Sequence, residues 1–148
     1  MAAVSLICDT GPLVAFFNRA DQYHPWAREQ FNRITQPLLT CEAVISEVVF
    51  LLQDDGLPAD PILEALERRQ VIVQLPAHEH WPDLRRLMRK YANLPMSLAD
   101  ACLVRMSELT PQCRVMTADR HFRLYRRHGR QVIPLLAPFS NCQAAPAA

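Results

Sequence analysis

The sequence predicts an α/β fold with a central, mostly parallel sheet covered by helices on both faces. Two observations carry that prediction. Short apolar runs, VSLIC, PLLT, VIVQL, CRVMT and QVIPLL, read as buried strands bounded by turn-forming residues. Between them lie longer stretches whose apolar residues recur every three or four positions, and strands that alternate with helices pair as parallel neighbours.

Taken in order, Val4–Cys8 is the first strand and runs into the turn Asp9-Thr10-Gly11-Pro12. Pro12 suits the first turn of a helix, so LVAFFNR is helical. Pro25 likewise opens WAREQFNRI. The short strand at PLLT leads into the apolar helix CEAVISEVVFLLQ, with Thr40 as its expected N-cap. PADPILEALERR is an amphipathic helix and VIVQL a clear strand. HWPDLRRLMRKYA and SLADACLVRMSEL are helices, the second capped by Ser97. CRVMT is a strand, DRHFRLYRR a short helix and QVIPLL the last strand. Residues 1–138 read as one domain without internal repeats and residues 139–148 as a flexible tail, whose NCQAAPAA has nothing to pack.

Composition narrows the function. At 148 residues, half of them hydrophobic and 21% charged, the chain can bury a real core, and its formal net charge of +1 advertises no bulk field. Among 16 basic residues only Lys90 is a lysine, and Arg120, Arg123, Arg126, Arg127 and Arg130 crowd one stretch. Arginine suits phosphate recognition, and a GC-rich coding bias would also produce it. No run approaches the roughly 18 apolar residues of a membrane helix, and the first residues lack the basic and apolar regions of a secretory signal. Cys8, Cys41, Cys102, Cys113 and Cys142 form no C-x-x-C pair and sit mostly among apolar residues, as core thiols of a reducing cytoplasm do. Gly11, Gly56 and Gly129 are the only glycines, so neither a dinucleotide fingerprint nor a P-loop can be built.

Four acids stand where a hydrophobic residue would be the default. Asp9 follows the strand VSLIC, and Asp119 follows CRVMT. Asp100 lies in the first turn of SLADAC, and Glu47 interrupts VISEVVF. In open α/β sheets ligands bind beyond the carboxyl ends of the strands, where Asp9 and Asp119 belong. One such acid alone is explained by a helix cap or a nearby arginine. Four together would raise one another's pKa, and a hard divalent cation resolves that conflict with carboxylate and water oxygens. Carboxylate clusters holding Mg²⁺ or Mn²⁺ work in many phosphoryl-transfer and nuclease sites. His121 and His128 share no metal-ligand spacing and read as surface residues. Trp26 and Trp81 read as packing residues, with base stacking as the alternative.

ICDTGPLVAFF, TCEAVISEVVFLL, PMSLADACLVRMSE and VMTADRHF occur in that order over about residues 4–135. In these blocks the chain resembles the PIN-domain ribonucleases, and within them the VapC-type toxins of bacterial toxin–antitoxin pairs. The resemblance implies a three-layer α/β/α fold and Mg²⁺- or Mn²⁺-dependent hydrolysis of RNA, whether tRNA, rRNA or mRNA. It also implies a homodimer and an antitoxin partner. Carried over block by block, it makes Asp9, Glu47, Asp100 and Asp119 the acidic quartet, with Asp9, Asp100 and Asp119 on the metal and Glu47 on the attacking water. Thr10 and Thr117 match supporting hydroxyl positions, and Ser97 caps the helix that carries Asp100. Arg120, Arg123, Arg126 and Arg127 offer a surface for RNA beside Asp119, or an ordinary solvated face. Gly11-Pro12 departs from the frequent serine, and LPMSLAD brings no fifth acid. Two other readings remain: an RNA-processing nuclease without an antitoxin, and a non-catalytic module that binds RNA or protein. A haloacid-dehalogenase-like phosphatase would want an Asp at position 11, and a phosphorelay receiver a late lysine; neither is present.

Overall fold

The computed structural model describes residues 3–139, so the expected tail sequence NCQAAPAA and Cys142 lie outside the described residues. The described chain forms a five-stranded sheet of order β3-β2-β1-β4-β7, every neighbouring pair parallel. Its strands are β1 (Ser5–Cys8), β2 (Leu38–Thr40), β3 (Val71–Val73), β4 (Cys113–Met116) and β7 (Leu135–Leu136). The helices are α1 (Thr10–Phe17), α2 (His24–Arg33), α3 (Glu42–Asp54), α4 (Asp60–Glu67), α5 (Trp81–Lys90) and α6 (Leu98–Leu109). With the sheet between them they make the predicted three-layer α/β/α arrangement.

Parallel strands hide both faces, so their sequences are mostly apolar, as β1 and β4 are apart from Ser5 and the exposed Arg114. Ile7, Cys8, Val115 and Met116 are fully buried, and the register pairs Ile7 with Val115 and Cys8 with Met116. α6 covers this pair, which is why its Ala101, Cys102, Leu103 and Val104 are all buried. α5 packs on α6, and α1 packs on both α2 and α3. Cys8, Cys41, Cys102 and Cys113 are buried free thiols, as their apolar settings predict. Among the described residues no helix is long and apolar enough to cross a membrane.

Four local expectations change. α1 begins at Thr10 instead of after Pro12, so the turn and the helix start are one feature with Asp9 as N-cap. Thr40 does not cap α3. Cys41 holds that position without a side-chain bond, and the Thr40 hydroxyl instead donates to the Cys8 carbonyl oxygen at 2.8 Å. DRHFRLYRR is a single 3-10 turn, Arg120–Arg123, after which Arg126–Arg127 (β5) pairs antiparallel with Gln131–Val132 (β6). The chain reverses through His128 and Gly129, both at positive φ, a conformation Gly takes freely and His more readily than most residues. QVIPLL consequently divides at Ile133-Pro134, its first part in the hairpin and its last in the main sheet.

The strand order also reverses. The chain runs outward from β1 to β2 and β3, then returns to place β4 on the other side of β1. The crevice at the carboxyl ends of β1 and β4 is therefore the topological switch point, the usual ligand position in such sheets. Because β1 anchors both halves, Ile7→Ala is expected to cost about 2–5 kcal/mol, and Val73→Ala, on the partly exposed edge strand, less than about 1 kcal/mol. Urea unfolding of the two variants measures the difference.

Candidate active site

The acids meet at that crevice. Cys8 pairs with Met116, so Asp9 and the segment Thr117-Ala118-Asp119 leave the sheet side by side. Asp9 stays in the sheet's hydrogen bonding, donating its N–H to the Met116 carbonyl at 2.9 Å. Gly11 allows α1 to start this close: a side chain there would set its Cβ 3.3 Å from the Ala118 Cβ, tighter than most side chains pack. That explains the glycine where the resemblance would have favoured serine.

Asp9 is the buried member, only 6% exposed. One carboxylate oxygen, Oδ1, accepts the Thr10 N–H at 2.7 Å, and the other, Oδ2, accepts the Thr117 hydroxyl at 2.7 Å. Thr117 Oγ1 in turn accepts the Asp119 N–H at 2.9 Å, which ties the Asp119 backbone to the Asp9 carboxylate through one hydroxyl. Burial nevertheless pushes the Asp9 carboxyl up to about 7. The two hydrogen bonds pull it down, and the charges of Asp100 and Asp119 raise it further.

Asp100 comes from α6. Its Ser-x-x-Asp start forms a capping box: the Asp100 N–H donates to Ser97 Oγ at 3.0 Å, and the Ser97 N–H donates to Asp100 Oδ2 at 3.1 Å. The same Oδ2 accepts the Tyr125 hydroxyl at 3.2 Å. Both bonds fall on one oxygen, so Oδ1 has no hydrogen-bond partner among the described residues. Burial raises the Asp100 carboxyl, and the Asp119 charge adds to that, against the bonds from Ser97 and Tyr125.

Asp119 accepts the His121 N–H on Oδ1 at 2.9 Å, leaving Oδ2 similarly open. Glu47, half-buried on α3, accepts the Thr10 hydroxyl on Oε1 at 2.8 Å. Thr10 therefore spans two acids, its N–H on Asp9 and its hydroxyl on Glu47. The hydrogen bonds form two groups, Glu47-Thr10-Asp9-Thr117-Asp119 and Ser97-Asp100-Tyr125, and the charges of Asp9, Asp100 and Asp119 act between them.

The basic segment is less uniform than its sequence. The Arg126 guanidinium folds onto the Arg123 and Tyr125 carbonyls at 2.8 and 3.1 Å. Arg127 reaches the Ser107 and Pro111 carbonyls at 3.0 and 3.3 Å. Arg120 and Arg123 lie over the Phe139 ring, 4.9 and 5.4 Å from its centroid. Sequence reading missed Tyr125, a fully buried aromatic whose hydroxyl is aimed at an acid. It rests edge-on against Tyr91 and Phe122, at centroid distances of 5.1 and 5.0 Å. No local signal distinguishes it from a core tyrosine, although a buried hydroxyl always raises the question of its partner.

The donor chemistry fits a hard divalent cation. Burial raises Asp9 and Asp100, the charges of neighbouring acids add to it, and three carboxylate oxygens remain without hydrogen-bond partners among the described residues. Among the described residues no three His, Cys, Asp or Glu side chains come together closely enough to hold a metal ion between them. The fit is thus with an ion that keeps most of its water and takes one or two carboxylates, as Mg²⁺ does.

The raised Asp9 fixes a pH dependence. An acid whose folded pKa exceeds its unfolded value binds more protons when folded, so metal-free stability falls as pH rises from about 4 to about 7. Asp9→Asn, which stays neutral, is expected to melt above wild type at pH 8 in EDTA and to lose that advantage by pH 5. Thermal melts across this range check it.

A family model described as PIN domain matches residues 6–127, a span that holds all four acids. No curated protein matches the chain.

Proposed function

The chain belongs to the PIN-domain family, and from that premise we propose that it is a Mg²⁺- or Mn²⁺-dependent endoribonuclease, the toxin of a toxin–antitoxin pair. PIN domains are generally nucleases and typically use divalent ions. The observation that carries the reading is the electrostatic convergence of Asp9, Asp100 and Asp119 at the switch point of the sheet.

Asp9 and Asp100 would hold the ion most directly, with Asp119 assisting through water, and the ion when bound would polarise the scissile phosphate and neutralise charge on its oxygens. The chain's own part is positioning. Thr10 and Thr117 hold both Asp9 oxygens, so the carboxylate cannot swing. Ser97 and Tyr125 restrain Asp100 through Oδ2 and leave Oδ1 to serve as the ligand. Thr10 holds Glu47 by Oε1, so Oε2 is the atom that orients the attacking water and takes its proton. Attack in line with the P–O3′ bond leaves a 5′-phosphate on one product and a 3′-hydroxyl on the other. Arg120 and Arg123, beside Asp119, are the arginines of the basic segment best placed to meet the substrate backbone.

The toxin assignment, with its cytoplasmic antitoxin partner and paired copies, draws on the four sequence blocks. A housekeeping RNA-processing nuclease would share the same chemistry. The two separate in cells: expression of the toxin arrests growth, and an adjacent antitoxin-like gene relieves the arrest.

Cleavage of RNA is expected with Mn²⁺ or Mg²⁺ and to stop in EDTA. Glu47→Gln should lower kcat by about 10²–10⁴-fold, as loss of a general base does. Tyr125→Phe, which removes only the support of a ligand, should weaken Mn²⁺ binding by about 10–100-fold. Full cleavage in EDTA, or by Asp9→Ala and Asp100→Ala, would defeat the metal-nuclease reading.

A further inference from the structure

Beside the acids lies a second feature that the site does not use. A groove of ≈ 560 Å³ runs between α5 and the start of α6, floored by Leu84, Met88 and Leu98, with Trp81 at one end and Arg85 and Arg89 along its rim. Trp81 is 52% exposed and Leu98 39% exposed, so the packing expected of Trp81 is only half true. Trp81, Arg85 and Arg89 follow at four-residue intervals and share one helix face, the arginines about 6 Å apart along the axis. Neighbouring cations are engaged: Arg86 pairs with Asp83, and Arg105 with Asp83 and Glu108. Arg85 and Arg89 are exposed and have no ion pair or side-chain hydrogen bond among the described residues, and no acid lines the groove.

An apolar floor with an exposed indole and two uncompensated guanidiniums is complementary to a polyanion that carries flat apolar faces. We propose that this groove binds a stretch of single-stranded RNA, with bases stacked on Trp81 and packed over Met88 and Leu98 and phosphates on Arg85 and Arg89. A second copy of the chain would set the same cationic rims against each other, which the charge disfavours. The groove and the acid crevice share the start of one helix. Leu98 is the first residue of α6 and Asp100 the third, so its mouth lies within about a helix diameter, 10 Å, of the Asp100 backbone. A strand held there is delivered to the acid crevice from the α5 side. The inference rests on the ribonuclease reading for its substrate class, and its test separates the two.

The test uses the full chain and a short fluorescein-labelled oligouridylate, with binding followed by anisotropy in EDTA so that nothing is cut. Trp81→Ala should raise Kd by about five- to hundred-fold, the range for one lost stacked base. The double variant Arg85→Ala with Arg89→Ala should flatten the dependence of log K on log salt by about 1.4, the value for two phosphate contacts on a single strand. RNA should quench the fluorescence of wild type and of Trp26→Phe, and leave that of Trp81→Phe unchanged. With Mn²⁺, both groove variants should show a raised KM and a kcat within about twofold of wild type. Wild-type binding and salt slope in both variants would overturn the groove while leaving the nuclease intact. Quenching and the variant effects without any cleavage by wild type would uphold the groove and remove the nuclease. Unchanged RNA affinity in variants that convert a dimer to a monomer would overturn the proposal in favour of a contact between copies.

Discussion

A carboxylate buried at the end of a central strand is the constraint around which this molecule is arranged. Asp9 cannot retreat to solvent, because its backbone is still bonded to β4 and its side chain is covered. Transfer of such a group out of water is costly unless hydrogen bonds and opposite charge replace hydration. Thr10 and Thr117 provide the bonds, and the charges that act on it most among the described residues are those of two more aspartates, Asp100 and Asp119. On the proposed reading, a cation supplied from outside would replace the missing opposite charge.

The fold delivers that arrangement by simple means. Parallel register puts the last residues of β1 and β4 level, and the reversal of strand order opens the sheet between its two halves at that point. Gly11 lets α1 begin in contact with Ala118, and a capping box sets Asp100 at the mouth of α6. Each acid is then held by a residue one to three positions away in sequence or by a hydroxyl from a facing element. Restraint of this kind reduces the reorganisation needed when a ligand arrives.

Much of this was legible in the sequence because strand ends and helix starts are local features. VSLIC and CRVMT end where their apolar runs end, so Asp9 and Asp119 could be placed without coordinates, and Ser97-x-x-Asp100 is a cap written in four residues. What escaped depends on contacts between distant residues. Thr10 reaches Glu47 across 37 positions, and Tyr125 reaches Asp100 across 25. Thr40 looked like a cap because hydroxyls favour that place, but the adjacent end of β1 offered its carbonyl instead. The segment after Asp119 read as a helix on composition; the left-handed pair His128 and Gly129 folds its last part into a hairpin. Trp81 read as core because tryptophan usually is, and only the surface around α5 shows half of it outside.

The central claim is that Asp9, Asp100 and Asp119 form one divalent-cation site whose affinity is coupled to the proton on Asp9. Calorimetric titration of the full chain with Mn²⁺, repeated in buffers of different ionisation enthalpy, tests it most directly. Binding at pH 7 should release about half a proton per ion, falling toward zero by pH 9, because the Asp9 carboxyl sits at about 7. Asp9→Asn and Asp100→Asn should each weaken the binding. No saturable uptake of Mn²⁺, or uptake without proton release and indifferent to both substitutions, would contradict the account.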